Sequence, residues 1–160
     1  MLNKFWKWYE KNYRVIASLT ALLFLLQIVH LYWLSTDIVF FKLFRHAFWD
    51  PGNFWTTVIA LVDYTEIPAI ITSSILYIHQ YRTNKENRFH SILFLLLINS
   101  QWLHLFWITD EVVVAQFTGT ALVAIPIWLS WCAIVIDYLE LPVIYDTIKK
   151  AFLSLKKKVV

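Results

Sequence analysis

The sequence predicts an all-α fold, a polytopic four-helix transmembrane bundle built from two parallel two-helix repeats. Three observations predict it. Hydrophobic residues make up 59% of the 160 and aromatics 18%, more apolar surface than so small a soluble body can cover. Four apolar stretches, at residues 15–34, 54–78, 91–108 and 121–144, each meet or approach the roughly 20 residues that carry a helix across a bilayer. Two motifs also recur at one offset of 74 residues. Gln27-Ile28-Val29-His30-Leu31-Tyr32-Trp33 returns as Gln101-Trp102-Leu103-His104-Leu105-Phe106-Trp107, and Asp63-Tyr64-Thr65-Glu66-Ile67-Pro68 returns as Asp137-Tyr138-Leu139-Glu140-Leu141-Pro142. The chain reads as one membrane domain over residues 1–160, with repeat 1 at about 14–80 and repeat 2 at about 88–154.

The first stretch follows Lys4, Lys7, Lys11 and Arg14, interleaved with Phe5, Trp6, Trp8 and Tyr9, a composition suited to an interfacial anchor. Its apolar core is too long for a signal peptide and no small-residue cleavage site follows, so it reads as a retained span. The connection at 37–53, with Phe40-Phe41-Lys42-Leu43-Phe44-Arg45, and the apolar connection at 112–122 read as interfacial or re-entrant segments roofing the bundle. The second stretch carries Asp63, Tyr64, Glu66 and Pro68, and a polar cytoplasmic loop at 80–90 follows. The third is the shortest and spans if flanking polar residues extend it. The fourth holds Asp137, Tyr138, Glu140 and Pro142, with Cys132, the one cysteine, which excludes an intrachain disulfide or a multi-cysteine metal site.

Charge sets the orientation. Twelve of the fourteen basic residues flank the cytoplasmic ends of these spans, and only Lys42 and Arg45 fall on the other side. The positive-inside rule then makes this an integral, multi-pass membrane protein with both termini cytoplasmic. The net charge of +3 describes membrane flanks; lipid is the expected partner and nucleic acid is not.

Ionisable residues within such spans mark functional sites. From the helical rise, His30, Gln27, Asp63 and Glu66 fall about 6, 10, 14 and 18 Å below the outer boundary. Their repeats His104, Gln101, Asp137 and Glu140 fall level with them, and the three-residue spacing of Gln27/His30 and of Asp63/Glu66 puts each pair on one helix face. Eight polar side chains thus converge on one cavity. Pro68 and Pro142 remove an amide donor and displace the carbonyls of Tyr64 and Tyr138 four residues earlier.

Two histidines with four carboxylates match the ligand inventory of carboxylate-bridged metal sites in helical bundles. His30, His104, Asp63, Glu66, Asp137 and Glu140 are therefore the candidate ligands of a divalent metal, with iron, manganese or zinc suited to imidazole and carboxylate. Asp63, Glu66, Asp137 and Glu140 are also the candidate catalytic acids and bases. Gln27, Gln101, Tyr64, Tyr138, Trp33 and Trp107 are candidates for holding a small lipophilic ligand or cation, Trp33 and Trp107 doubling as members of an interfacial belt. A polar network that only specifies helix packing is the competing reading, and a b-type haem between His30 and His104 is a third.

His30-Leu31-Tyr32-Trp33, Glu66-Ile67-Pro68, the stretch from Gln101 through Thr109-Asp110-Glu111, and Asp137 through Pro142 followed by Asp146 and Lys149-Lys150 carry a resemblance. With four spans in about 160 residues, the chain resembles the EXPERA family of sterol isomerases and sigma-2-receptor-like proteins. The resemblance implies a cavity where a sterol double bond is protonated or a lipophilic amine is bound. It makes Asp63, Glu66 and Glu140 acid/base candidates and Tyr138 a cation-facing aromatic. The internal repeat and the acid at Glu140 are departures from that family. Three functions stay open: binding of a divalent metal or small ligand, an EXPERA-like lipid- or sterol-binding protein or isomerase, and a proton-coupled carrier.

Overall fold

The computed structural model describes residues 2–49, 52–120, 122–123 and 126–156; Lys157 and Lys158 of the terminal basic flank lie outside the described residues. Helix α1 (Leu2–Trp33) has neither glycine nor proline to stop it, and it runs on through a π-helical turn, Leu34–Val39, into α2 (Phe40–Phe44). The expectation of a connection beginning at residue 37 is corrected here, because Ser35-Thr36-Asp37 stays helical. The hydroxyls of Ser35 and Thr36 donate back to the carbonyls of Leu31 and Tyr32 at 2.7 and 2.8 Å. Such back-bonding perturbs the ordinary ladder and suits the wider π turn. The run ends at Arg45, whose φ of 63° is left-handed and whose amide closes the last turn on the Phe41 carbonyl at 2.9 Å.

After α3 (Gly52–Asp63) and α4 (Glu66–Thr83), four residues suffice to turn the chain into α5 (Arg88–Asn99), tighter than the loop expected at 80–90. A bend at Ser100 leads to α6 (Gln101–Ile108), a second π-helical turn (Thr109–Val114) and α7 (Ala115–Thr118). Finally α8 (Ile127–Tyr138) and α9 (Leu141–Lys156) extend past the apolar stretch at 121–144, because α9 continues as an amphipathic helix. No strand occurs among the described residues. Four helical runs, Lys4–Phe44, Thr57–Thr83, Arg88–Ile108 and Ile127–Lys156, are long and apolar enough to cross a membrane.

The runs pack as a ring. Helix α1 lies against α3, α4 and α9, α4 against α5, α5 against α9, and α6 against α8, so the first and third runs face each other diagonally. The core includes Phe24, Leu31, Ala69, Ile70, Tyr77, Ile98, Leu105 and Val143. Polarity is inverted relative to a water-soluble bundle. Thr20, Ser73, Ser91 and Thr147 are completely buried, while Leu19, Leu22, Leu25 and Val29 stand exposed on the outer face of α1. Small residues set the approach of the helices, Ala17 and Ala21 packing on Ala151, and the Thr20 hydroxyl donates to that of Thr72 at 2.8 Å. Small contact residues let helix backbones approach closely.

Ala17→Leu should therefore cost about 1–3 kcal/mol through overpacking, read as a lower thermal midpoint in detergent. Leu22→Ala, on the exposed face, should leave the midpoint within experimental scatter; equal loss in both variants would mean that the Ala17–Ala151 contact is not what sets the spacing.

Candidate functional site

The helix breaks come first, because they aim the acids. Helix α3 stops at Asp63 and α4 starts at Glu66; α8 stops at Tyr138 and α9 starts at Leu141. The residues in the breaks, Thr65 and Leu139, share one conformation, φ −70°, ψ −13° and φ −68°, ψ −13°. Pro68 and Pro142 follow three residues later in both cases and supply no amide to the carbonyl four residues before them. Amides near the break consequently close tighter turns, Thr65 onto Val62 at 2.9 Å and Glu140 onto Asp137 at 3.1 Å.

The carbonyls that accept these tighter turns, Val62 from the Thr65 amide and Ile136 from the Leu139 amide at 3.0 Å, are also met by the two glutamines. Gln27 Nε2 donates to the Val62 carbonyl at 3.2 Å and to Thr65 Oγ1 at 3.1 Å. Gln101 Nε2 donates to the Ile136 carbonyl at 2.8 Å, 74 residues further along at both ends. Both glutamines are buried. Sequence reasoning expected these amides among the cavity groups; their nitrogens instead clasp the broken helix next door.

At the centre, two histidines and two aspartates from the four runs alternate around a ring. His30 Nδ1 lies 2.6 Å from Asp63 Oδ1, and His104 Nδ1 lies 2.6 Å from Asp137 Oδ1. The other ring nitrogens reach across, His30 Nε2 to Asp137 Oδ2 and His104 Nε2 to Asp63 Oδ2, each at 3.9 Å. The imidazoles meet edge to face with centroids 5.5 Å apart. All four residues are less than 8% exposed. Despite the short distances, both nitrogens of His30, both oxygens of Asp63 and Oδ1 of Asp137 lack an aligned hydrogen bond. Atoms of His30, His104 and Asp137 lie within 4.8 Å of one another.

Glu66 and Glu140 are equally buried and lie within electrostatic reach of each other and of this ring. Glu140 Oε1 has no hydrogen-bond partner. They stand beside the ring, so six of the eight expected side chains come together.

Tyr64 and Tyr138 tie the halves of the chain together. Tyr138 Oη meets Ser35 Oγ at 2.6 Å, and Tyr64 Oη meets Thr109 Oγ1 at 2.9 Å. Ser35, second in the first π turn, and Thr109, first in the second, back-bond to the Leu31 and Leu105 carbonyls, both at 2.7 Å. Sequence reasoning missed this pair, although the hydroxyls lie 74 residues apart. It also missed that the outer loops fold back at matched positions. Phe48 and Trp49 amides donate to the Thr36 carbonyl at 2.9 and 3.4 Å, and Leu122 and Val123 amides donate to the Asp110 carboxylate at 3.0 and 2.9 Å.

Trp33 departs from a belt position. It is buried, its ring packs on His30 with centroids 5.7 Å apart, and its indole donates to Asp37 Oδ2 at 2.9 Å. With Trp107 and Trp131 it walls a cavity of about 650 Å³ whose inner end is formed by His30, His104 and Asp137. Two clefts of about 590 and 610 Å³, lined by Glu10, Tyr13 and residues around them at the opposite end, contain none of the repeated polar groups.

No family model, curated protein or solved structure matches this chain.

Gln101→Leu should remove the hydrogen bond that ties α6 to the Ile136 carbonyl at a cost of about 0.5–1.5 kcal/mol, and Gln27→Leu should cost a similar amount. Thermal unfolding in detergent checks this; unchanged midpoints would mean the clasp is dispensable.

Proposed function

We propose that this chain is a multi-pass membrane protein whose two halves are related by a pseudo-two-fold axis along the membrane normal, and that it holds a divalent cation between His30, Asp63, His104 and Asp137. Glu66 and Glu140 supply further carboxylate oxygen. The observation that carries the proposal is the alternating His–Asp ring, whose buried donor atoms crowd together, those of His30, His104 and Asp137 within 4.8 Å of one another.

Burying several carboxylates in an apolar bundle is costly unless their charge is met. A divalent ion meets it with one particle, and imidazole with carboxylate suits iron, manganese or zinc. Two donors on one ion at roughly 2.0–2.2 Å stand about 3.0–3.4 Å apart, so the 2.6 Å His–Asp pairs would open and the 3.9 Å pairs close. The edge-to-face contact of the imidazoles leaves no slot for a porphyrin between them and favours a small ion over haem. The glutamine clasps and tyrosine ties then act as supports that fix ligand orientation. A membrane setting is supported by the four long apolar runs and by the polar-in, apolar-out burial.

A second reading is favoured by the cavity. A buried Glu66 or Glu140 beside an aromatic chamber is the arrangement an EXPERA-like lipid- or sterol-binding protein or isomerase uses, with a carboxyl as proton donor. That reading needs no metal. A proton-coupled carrier would use the same carboxyls as titrating groups, and ion flux in liposomes identifies it.

Elemental analysis of protein purified without chelator decides between them. The expected result is bound iron, manganese or zinc near one ion or more per chain, falling several-fold in Glu66→Gln and Glu140→Gln, which keep shape and lose charge. Gln27→Leu and Gln101→Leu should lower metal content less. Folded wild-type protein that is free of metal would end the cation proposal, and loss of isomerase activity in the Gln variants of such protein would establish the second reading.

Orientation has its own test. In a Cys132→Ser background, a single cysteine at Leu43 should react only with reagent added to the extracytoplasmic side. Reaction solely from the cytoplasmic side would invert the topology.

A further inference from the structure

We infer that the cavity above the His–Asp ring is a binding chamber for an anionic amphiphile of the long-chain carboxylate type, its head at Lys42 and Arg45 and its apolar body directed toward the ring. The inference rests on the membrane reading given above and not on the metal.

The lining falls into three classes. His30, His104 and Asp137 are buried and form the inner end, the aromatic and aliphatic walls include Trp33, Trp107, Trp131 and Phe41, and half-buried Lys42 and exposed Arg45 mark the mouth. A volume of about 650 Å³ lies within the roughly 300–1,000 Å³ of small-molecule sites, and apolar walls with a few placed polar groups are their usual lining. The chemistry from mouth to floor is cationic, then apolar, then polar.

The two cations are the only Lys or Arg residues between the first and second apolar stretches or between the third and fourth. Neither forms an ion pair among the described residues. Lys42 Nζ donates to Ser130 Oγ at 2.7 Å and lies 5.9 Å from the Trp131 ring, which draws it over the chamber. Arg45 is exposed and held at the mouth by its left-handed turn. Asp37 also lines the chamber and accepts a hydrogen bond from the Trp33 indole. Among the described lining residues the other carboxylate, Asp137, lies 2.6 Å from His104, so Lys42 and Arg45 outweigh the one lining acid on their own helical run. A carboxylate head answers that charge, with the guanidinium suited to bidentate capture, and a hydrocarbon body answers the tryptophans.

The mouth also breaks the internal match. Positions 74 residues after Lys42 and Arg45 are Gln116 and Gly119, so the second half of the chain does not repeat the cationic pair. A centre whose ligands are duplicated is thereby approached through one charged entrance.

The test uses the full chain in nanodiscs of zwitterionic lipid, titrated with dodecanoate, dodecylamine and dodecanol against empty nanodiscs. Saturable binding of dodecanoate near one per chain is expected, tighter than that of dodecanol, with none of dodecylamine. Lys42→Gln combined with Arg45→Gln should weaken dodecanoate binding at least tenfold while circular dichroism and metal content stay at wild-type values. Adding anionic phospholipid to the nanodiscs separates the sources: competition with dodecanoate assigns the same site to a lipid headgroup, and absence of competition assigns it to a single-chain carboxylate. Equal binding of all three probes, no saturable dodecanoate binding, or undiminished binding in the double variant would overturn the inference. Metal content, measured on the same samples, reports the cation proposal separately, so metal-free protein that still binds dodecanoate sinks only the cation proposal.

Discussion

Six ionisable side chains packed where apolar helices meet impose the strictest demand in this molecule. Charge without water or a counter-charge costs more than any single packing contact returns, so the surrounding architecture has to bring opposite groups together. His30 and His104 on diagonally opposed runs, with Asp63 and Asp137 on the runs between them, meet that demand by alternation. Each aspartate is offered one histidine closely and the other at longer range. The helix breaks, the glutamine clasps and the tyrosine ties all serve to hold that alternation in place.

The breaks show how local chemistry and assembly reinforce each other. Proline makes the helix give way just after the aspartate, and the Val62 and Ile136 carbonyls accept the tightened turns of Thr65 and Leu139. Their second lone pairs are what Gln27 and Gln101 grip. A defect in one helix becomes the point of attachment for another. The π turns work the same way, since Ser35 and Thr109 loosen their own ladders and present hydroxyls to the tyrosines opposite.

Much of this was legible in the sequence because it is repetitive. Apolar length and composition gave four helical runs, and polar residues recurring at one offset gave the members of the centre. The ends were less legible. Ser35-Thr36-Asp37 and Tyr81-Arg82-Thr83 are polar enough to read as connections, but hydroxyl back-bonds to Leu31, Tyr32 and His79 keep both helical. The role of Gln27 and Gln101 was hidden for another reason: the carbonyl that each one meets is a backbone group that no side-chain pattern displays. Trp33 looked interfacial by depth, whereas its contacts with His30 and Asp37 draw it inward. Lys42 and Arg45 entered the sequence reading only as the two basic residues on the outer side, because the cavity that they line joins residues far apart in the chain.

The connection between α4 and α5 carries one further meaning. Only four residues long and exposed throughout, it contributes nothing to the centre and little besides the Glu86 amide bond to Asn84 Oδ1 at 3.1 Å. On either side of it, each pair of runs brings one histidine, one aspartate and one glutamate, and each leaves those groups half-answered. The centre is thus an intramolecular subunit contact: the covalent tether sets stoichiometry and local concentration, while recognition between the two pairs is written in the polar residues themselves. A chain of this design has the physical character of a dimer that cannot dissociate.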